Sequence, residues 1–349
     1  MIEQLHYSTN YQIQNTFNFG IAFLKVFLAF DVIRSHNFNM QSTNNTLLRF
    51  CLRKRRIHVP SFFIISFFFM HKEFISLNIN KYAKRIERLI IPYFIWPITI
   101  WILNNIFNYL FNTTFPSSLI DLKYQIFWGN NFIMQLWFQW DLIIITILFF
   151  IILFLFKTNY LLITHLLAIL AYFMQYSGIN LNFYNSLGIE KRECLGRFTE
   201  AIPYTVTGFS LASLGIIKRI KNCKINTFIF SVLIYILIEK YYVFSKVNGI
   251  AYSGIKLNIS SICIIFIFSL FPSEKIKNSL IKVIFKNITN FTAGIFYLHW
   301  TIIIYLKDYI KIIEKGCFSG LIIIYLFCYI ISFCGMKIFG KTKLKHLFL

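Results

Sequence analysis

The stretch Gly20–His36, GIAFLKVFLAFDVIRSH, is long and apolar enough to enter a bilayer, yet it carries Lys25, Asp31, Arg34 and His36. An ionisable group at membrane depth costs about 2.5 kcal/mol or more unless it is paired or faces a wet cavity. Four in one span are poorly explained as lipid-facing residues. On a helix, Lys25 and His36 are about three turns apart and share one face, roughly 16 Å along the axis. Asp31 and Arg34 are i,i+3 neighbours and can pair on another side. The span thus reads as one compensated pair beside a separate Lys/His stripe. A second reading stands beside it: Lys25 and Arg34 snorkel to the headgroups and His36 marks the water boundary.

Composition sets the class. Of 349 residues, 57% are hydrophobic and 14% charged, where a soluble domain carries roughly a quarter charged. This predicts an all-α polytopic membrane protein. The net charge of +22 is spread as short basic clusters between apolar spans; these set topology and meet anionic headgroups, so membrane lipids are expected partners and nucleic acid is not. The seven Cys are scattered without a CxxC pair, which implies neither a metal site nor a disulfide framework. Met1–Phe19 is polar and lacks a basic n-region, so the first span is expected to be a retained anchor. No fixed-period repeat and no long linker occur, and residues 1–349 are expected to form a single transmembrane domain.

About ten spans are predicted, at 20–36, 59–70, 89–111, 132–156, 160–176, 201–217, 226–244, 254–271, 289–306 and 319–339. The second is short for a crossing unless Ile57 and its neighbours join it. Pro92 and Pro97 in the third are tolerable only where neighbours satisfy the freed carbonyls. Residues 71–88 read as a basic amphipathic connector, and 112–131 and 177–200 as loops. The basic clusters of 71–88, 218–225, 272–288 and the C-terminal tail place both termini in the cytoplasm. The run Arg49–Arg56, RFCLRKRR, then falls outside against the bias, which would suit an acidic partner there.

Five segments resemble the acyltransferase-3 family of membrane O-acyltransferases. LKVFLAFDVIRSH is similar to its opening pattern of Arg or Lys, ten residues, then His. VPSFFIISFFF is similar to VPLFFFISG, with Phe67 in place of Gly; KRIERLIIPYFIW is similar to the basic connector leading into RLxxPYxxW. QLWFQWDLI is similar to HLWFLxxL, with Gln135 for His, and FTAGIFYLHWTII to SxGIYLLHxxL. Each is weak alone; their order and spacing carry the resemblance, to the membrane-only form.

The resemblance implies transfer of an acyl group, acetyl above others, from cytoplasmic acyl-CoA to a hydroxyl of a bacterial surface polysaccharide such as O-antigen or capsule, at the inner membrane. No resident cofactor is expected. Such a transfer needs a base, a stabiliser for the developing oxyanion and a route for a hydrophilic donor. The resemblance assigns the base to His36 and a cation at the donor to Lys25, which supplies charge but not the bidentate fork of Arg. Arg85 and Arg88 are donor-phosphate candidates, or topology signals. His299 and Tyr297 are candidates for a second polar group at the donor or acceptor; alternatively, His299 is a packed interfacial residue beside Trp300. Gln135 and Trp137 either line the acceptor path or form an interfacial belt. Asp141 has Arg197 as a conceivable partner. No GxSxG, HExxH or Walker loop appears, which removes soluble-hydrolase and ATPase readings. The alternative class is a flippase or polymerase of lipid-linked oligosaccharide; it would show Gly/Pro-broken spans in matching halves or a large external loop, and neither is present.

The predicted topology puts 177–200 outside. With Cys194 as the only Cys, an impermeant thiol reagent is expected to label outer-membrane-permeabilised cells. Labelling only after lysis would reverse the orientation.

Overall fold

The computed structural model describes residues 19–37, 57–128, 136–177, 189–216, 224–241, 254–270, 283, 287–307, 309–314 and 317–348. Among them the fold is all-helical, with no strand. The helices are α1 (Phe19–Asn37), α2 (His58–Ile75), α3 (Ile79–Phe111), α4 (Leu119–Trp128), α5 (Trp137–Leu155) and α6 (Tyr160–Tyr176). They continue as α7 (Ile189–Ser213), α8 (Lys224–Tyr241), α9 (Ile255–Ser269), α10 (Thr292–Lys307), α11 (Lys311–Glu314) and α12 (Phe318–Phe339), followed by a 3₁₀ turn, Lys343–Leu347. Three of these, α3, α5 and α12, are long and apolar enough to cross a membrane; α6, α9 and Lys224–Ile238 of α8 are shorter apolar helices.

α1 lies inside the bundle, against α2, α9, α10 and α12. Leu24, Leu28, Ala29 and Ile33 have no exposure at all, and Phe23 is its one exposed large apolar residue. The outer helices are the reverse. α6 exposes Leu162, Leu166, Ile169, Leu170 and Phe173, and α8 exposes Ile225, Ile229, Leu233 and Ile236. Apolar surface on this scale suits lipid, whereas water-facing monomers seldom show it.

Cross-helix contacts fix relative directions. α2 runs antiparallel to α1, with His58 at Asp31 and Phe69 at Lys25. α10 runs parallel to α1, with Thr289 near Ala22 and His299 near His36. α6 and α7 are antiparallel through Gln175–Thr199 and His165–Ser210. The Lys25 end of the bundle also receives the C-terminus: Lys343 pairs with Glu87, and Leu347 accepts from Trp96 Nε1 at 3.1 Å.

One helix-internal proline has a compensating partner. Pro203 of α7 has no N–H for the carbonyl of Thr199; that oxygen accepts instead from Gln175 Nε2 at 3.0 Å, and Gln175 Oε1 accepts from Gly254 N at 3.1 Å. One side chain thus ties α6, α7 and α9. Near Pro92, the Leu89 carbonyl accepts from Gln139 of α5.

Several boundaries differ from the sequence reading. The connector 71–88 is not separate: α2 runs through Ile75, and α3 begins at Ile79 behind the capping side chain of Asn78 and continues unbroken. At 33 residues α3 is roughly 50 Å long, well beyond the roughly 30 Å hydrocarbon core, so a hydropathy window sees only its apolar part. The expected loop 112–131 contains α4, which folds back on α3 until the Ile126 carbonyl accepts from Tyr93 Oη at 2.8 Å. The expected loop 177–200 contains the first half of α7; its polar sequence hid a helix from a search for apolar runs. Arg49–Arg56 and residues 271–282 lie outside the described residues.

α7 touches α2 backbone to backbone. A Cβ on Gly208 would stand 2.2 Å from the Ile64 carbonyl oxygen. Gly208→Val is therefore expected to force the helices apart, a strain of about 1–3 kcal/mol or more, and to lower membrane abundance and thermal stability in detergent. Ile229→Ala, on the outer face, is the control expected to change neither.

Candidate active site

The central helix carries polar groups toward both ends. At its C-terminal end Asp31 and Arg34 pair as the i,i+3 spacing allows: Arg34 Nε donates to Asp31 Oδ1 at 2.7 Å, and Nη2 donates to the same oxygen. Arg34 does not snorkel to headgroups; it is 2% exposed. The other carboxylate oxygen, Oδ2, is 2.8 Å from His58 Nδ1, at the first residue of α2. His58 is the residue the sequence reading missed. It directly precedes Val59–Pro60, and a motif search beginning at Val59 stops one residue short of it.

His36, one turn beyond Asp31, is exposed, and its ring meets two residues of α10. The His299 ring centroid is 5.2 Å away and that of Trp300 5.1 Å. His299 is buried, its Nδ1 lies 2.6 Å from the Phe296 carbonyl, and its Nε2 has no partner. His36 and His299, nominated from separate segments, therefore share one place. Phe62 of α2 meets Phe296 of α10 at 5.8 Å, and from that contact His58 and His299 each lie about one turn farther toward the same end of the bundle, so imidazoles from three helices stand at one level.

Three turns back along α1, Lys25 is half-buried with Nζ 5.8 Å from the centre of the Phe69 ring. Arg85 of α3 meets the same turn of α2. Its Nη2 donates to Ser66 Oγ at 2.7 Å, its Nε to Thr146 Oγ1 at 3.4 Å, and its guanidinium lies 5.9 Å from the Phe67 ring centre. Phe67, where the resembling motif has Gly, thus covers a cation. Arg85 also acts electrostatically on the Tyr297 hydroxyl, so Tyr297 belongs with this basic group and its near neighbour His299 with the imidazoles. Arg88 is exposed.

Between the two groups, the Phe62, Phe63, Phe138 and Phe296 rings interlock, with Phe138 4.5 Å from Phe63 and 5.3 Å from Phe296. Trp137, at the head of α5, lies under Arg197 of α7 at 4.9 Å. Asp141, one turn on, is 2% exposed, with Oδ2 unpartnered, and it feels the charges of Arg197 and Glu200. Gln135 lies outside the described residues. Among the described residues no group of His, Cys, Asp and Glu could hold a metal ion.

An all-helical, lipid-faced bundle with imidazoles at one end of its central helix and half-buried cations toward the other has the equipment of a membrane group-transfer enzyme. The chain belongs to the acyltransferase-3 family: that family's model, described as an acyltransferase domain, matches residues 18–340. This supports a membrane acyltransferase in general terms over a flippase or polymerase. No curated protein and no solved structure matches the chain.

Lys25 has a defined seat, so its role can be separated from simple charge. Lys25→Arg is expected to retain acyl transfer and Lys25→Ala to lose most of it, measured as label passing from acyl-CoA to membrane glycan. A wild-type rate in Lys25→Ala would return Lys25 to a snorkelling role.

Proposed function

We propose that this chain is an O-acyltransferase, with acetyl as its group, that moves the acyl group of cytoplasmic acyl-CoA to a hydroxyl of a bacterial surface polysaccharide such as O-antigen or capsule. The observation that carries the reading is the meeting of His36 with His299, about three turns along α1 from Lys25. In this reading α1, α2, α3, α5, α6, α7, α8, α9, α10 and α12 are ten crossings of the inner membrane, with both termini cytoplasmic. The antiparallel pairs α1/α2 and α6/α7 and the parallel pair α1/α10 support it.

Lys25, Arg85 and Arg88 would hold the phosphates of the donor at the cytoplasmic end. The pantetheine arm of acyl-CoA is long and thin, and would place the thioester near His36 while its phosphates stay with the cations. His36 takes the proton of the acceptor hydroxyl as the oxygen attacks the thioester carbonyl. The C–S bond breaks, an ester forms, and the CoA thiolate leaves with the proton that His36 returns. His299, Gln135 and Trp137 are assigned to the acceptor side, where hydrogen bonding and stacking recognise sugars, and Tyr297 to the donor side near Arg85.

A positioned general base contributes about 10²–10⁴-fold in rate. His36→Ala is expected to abolish detectable O-acylation while reaching the membrane at normal abundance, because an exposed helix-end residue adds little to insertion. His36→Gln keeps a hydrogen bond but cannot take a proton, and is expected to be equally inactive. Near-normal transfer by His36→Gln would reduce the residue to substrate positioning.

A further inference from the structure

Asp31 and His58 have no part in the transfer chemistry proposed above, yet both are buried beside it. A purely structural tie between α1 and α2 is a weak explanation. Replacing a buried ion pair by apolar residues of similar volume is often neutral or stabilising, and intramembrane ionisable residues point first to function.

The hydrogen bonds fix which ring nitrogen carries the proton. Oδ1 of Asp31 is taken by two N–H groups of Arg34, which also balances its charge, and Oδ2 meets His58 Nδ1 at 2.8 Å. A carboxylate only accepts, so Nδ1 of His58 carries the hydrogen. Whenever the ring carries one proton, its lone pair therefore sits on Nε2. His299 is set the same way: a carbonyl only accepts, so its Nδ1–H donates to Phe296 and its buried Nε2 holds an unpartnered lone pair. With His36 5.2 Å from His299, a cluster of imidazoles stands at the end of α1, and two of them have Nδ1 pinned.

We propose that Asp31, its charge balanced by Arg34, is a positioning residue that holds His58 in the Nδ1–H form, and that His58 acts through His299 and His36 as a second station for the proton of the transfer reaction. The acceptor hydroxyl gives its proton to His36 as the ester bond forms. The cluster shares that proton, nearest the Asp31 carboxylate, until the C–S bond has broken, and then returns it to the thiolate. No proton is gained or lost overall. The proposal rests on the reading of this end of α1 as the transfer site.

The test uses inverted membrane vesicles from producing cells, with radiolabelled acetyl-CoA as probe and rates expressed per folded protein. Gln at 58 keeps an N–H donor for Asp31, so a merely structural tie survives it. His58→Gln is expected to lower kcat about 100-fold, the low end of what a positioned proton-transfer group contributes, with the KM for acetyl-CoA unchanged. The triple variant Asp31→Leu, Arg34→Leu, His58→Phe leaves no buried charge alone; it is expected to reach the membrane and to be as slow. A wild-type rate in either variant, with His36→Ala inactive, overturns the proposal and spares the reading of His36. An active His36→Ala removes the transfer site itself. Should the triple variant not reach the membrane, His58→Gln alone decides.

Discussion

The carboxylate of Asp31 is the constraint around which the polar interior is arranged. A charge in the middle of an apolar bundle must be matched on every side, and here the matching groups come from its own helix and the next one. Arg34 neutralises it locally, so the central helix carries an ion pair without net charge. His58 then needs to be the first residue of α2, facing back to α1, which sets how the two helices start and stop relative to one another. With that register, Phe69 comes level with Lys25 and Phe67 with Arg85. The same short turn of α2 thus frames the basic group, while its first residue frames the imidazoles.

The separation of the two groups has a physical consequence. Cations suited to phosphate and imidazoles suited to a hydroxyl proton would interfere if placed together, because a nearby positive charge opposes a second one on a base. Along α1 the distance between Lys25 and His36 is roughly 16 Å, and the interlocked rings of Phe62, Phe63, Phe138 and Phe296 fill part of the space between. An apolar middle also favours a thin, uncharged arm over phosphate or sugar. In the proposed reaction this would leave the charged head of the donor at one end and bring only the thioester to the other.

Much of this was legible in the sequence, for reasons that explain the omissions. The Asp31–Arg34 pair follows from i,i+3 spacing alone, and the helices α1, α6 and α12 from their apolar runs. The first half of α7 was lost because it is polar, and a search for apolar runs treats a polar helix like a loop. α4 was lost because it is too short to span. His36 and His299 could each be nominated by resemblance, but their meeting required the parallel alignment of α1 and α10, a tertiary fact. His58 carried no signal of its own: a lone His before Val-Pro has meaning only once antiparallel pairing places it opposite Asp31.

The polar groups outside the imidazole cluster divide by how they are satisfied. Gln175 supplies the bond that Pro203 cannot make and reaches Gly254 with its other end, so its polarity repairs backbone and holds three helices. His71 and His165 meet the hydroxyls of Ser213 and Ser210 on α7, and these serines also donate to their own helix four residues back. Such groups are closed. His299, like Asp141 with its unpartnered Oδ2, differs: one of its nitrogens is engaged and the other is buried with nothing to accept from. An unfilled acceptor in an apolar interior costs about 1–3 kcal/mol, and the chain carries that cost beside an exposed imidazole at the end of its central helix. A stability argument gives no reason to keep it. In the reaction proposed above, the reason is the proton that His36 takes from the acceptor hydroxyl and shares with this nitrogen.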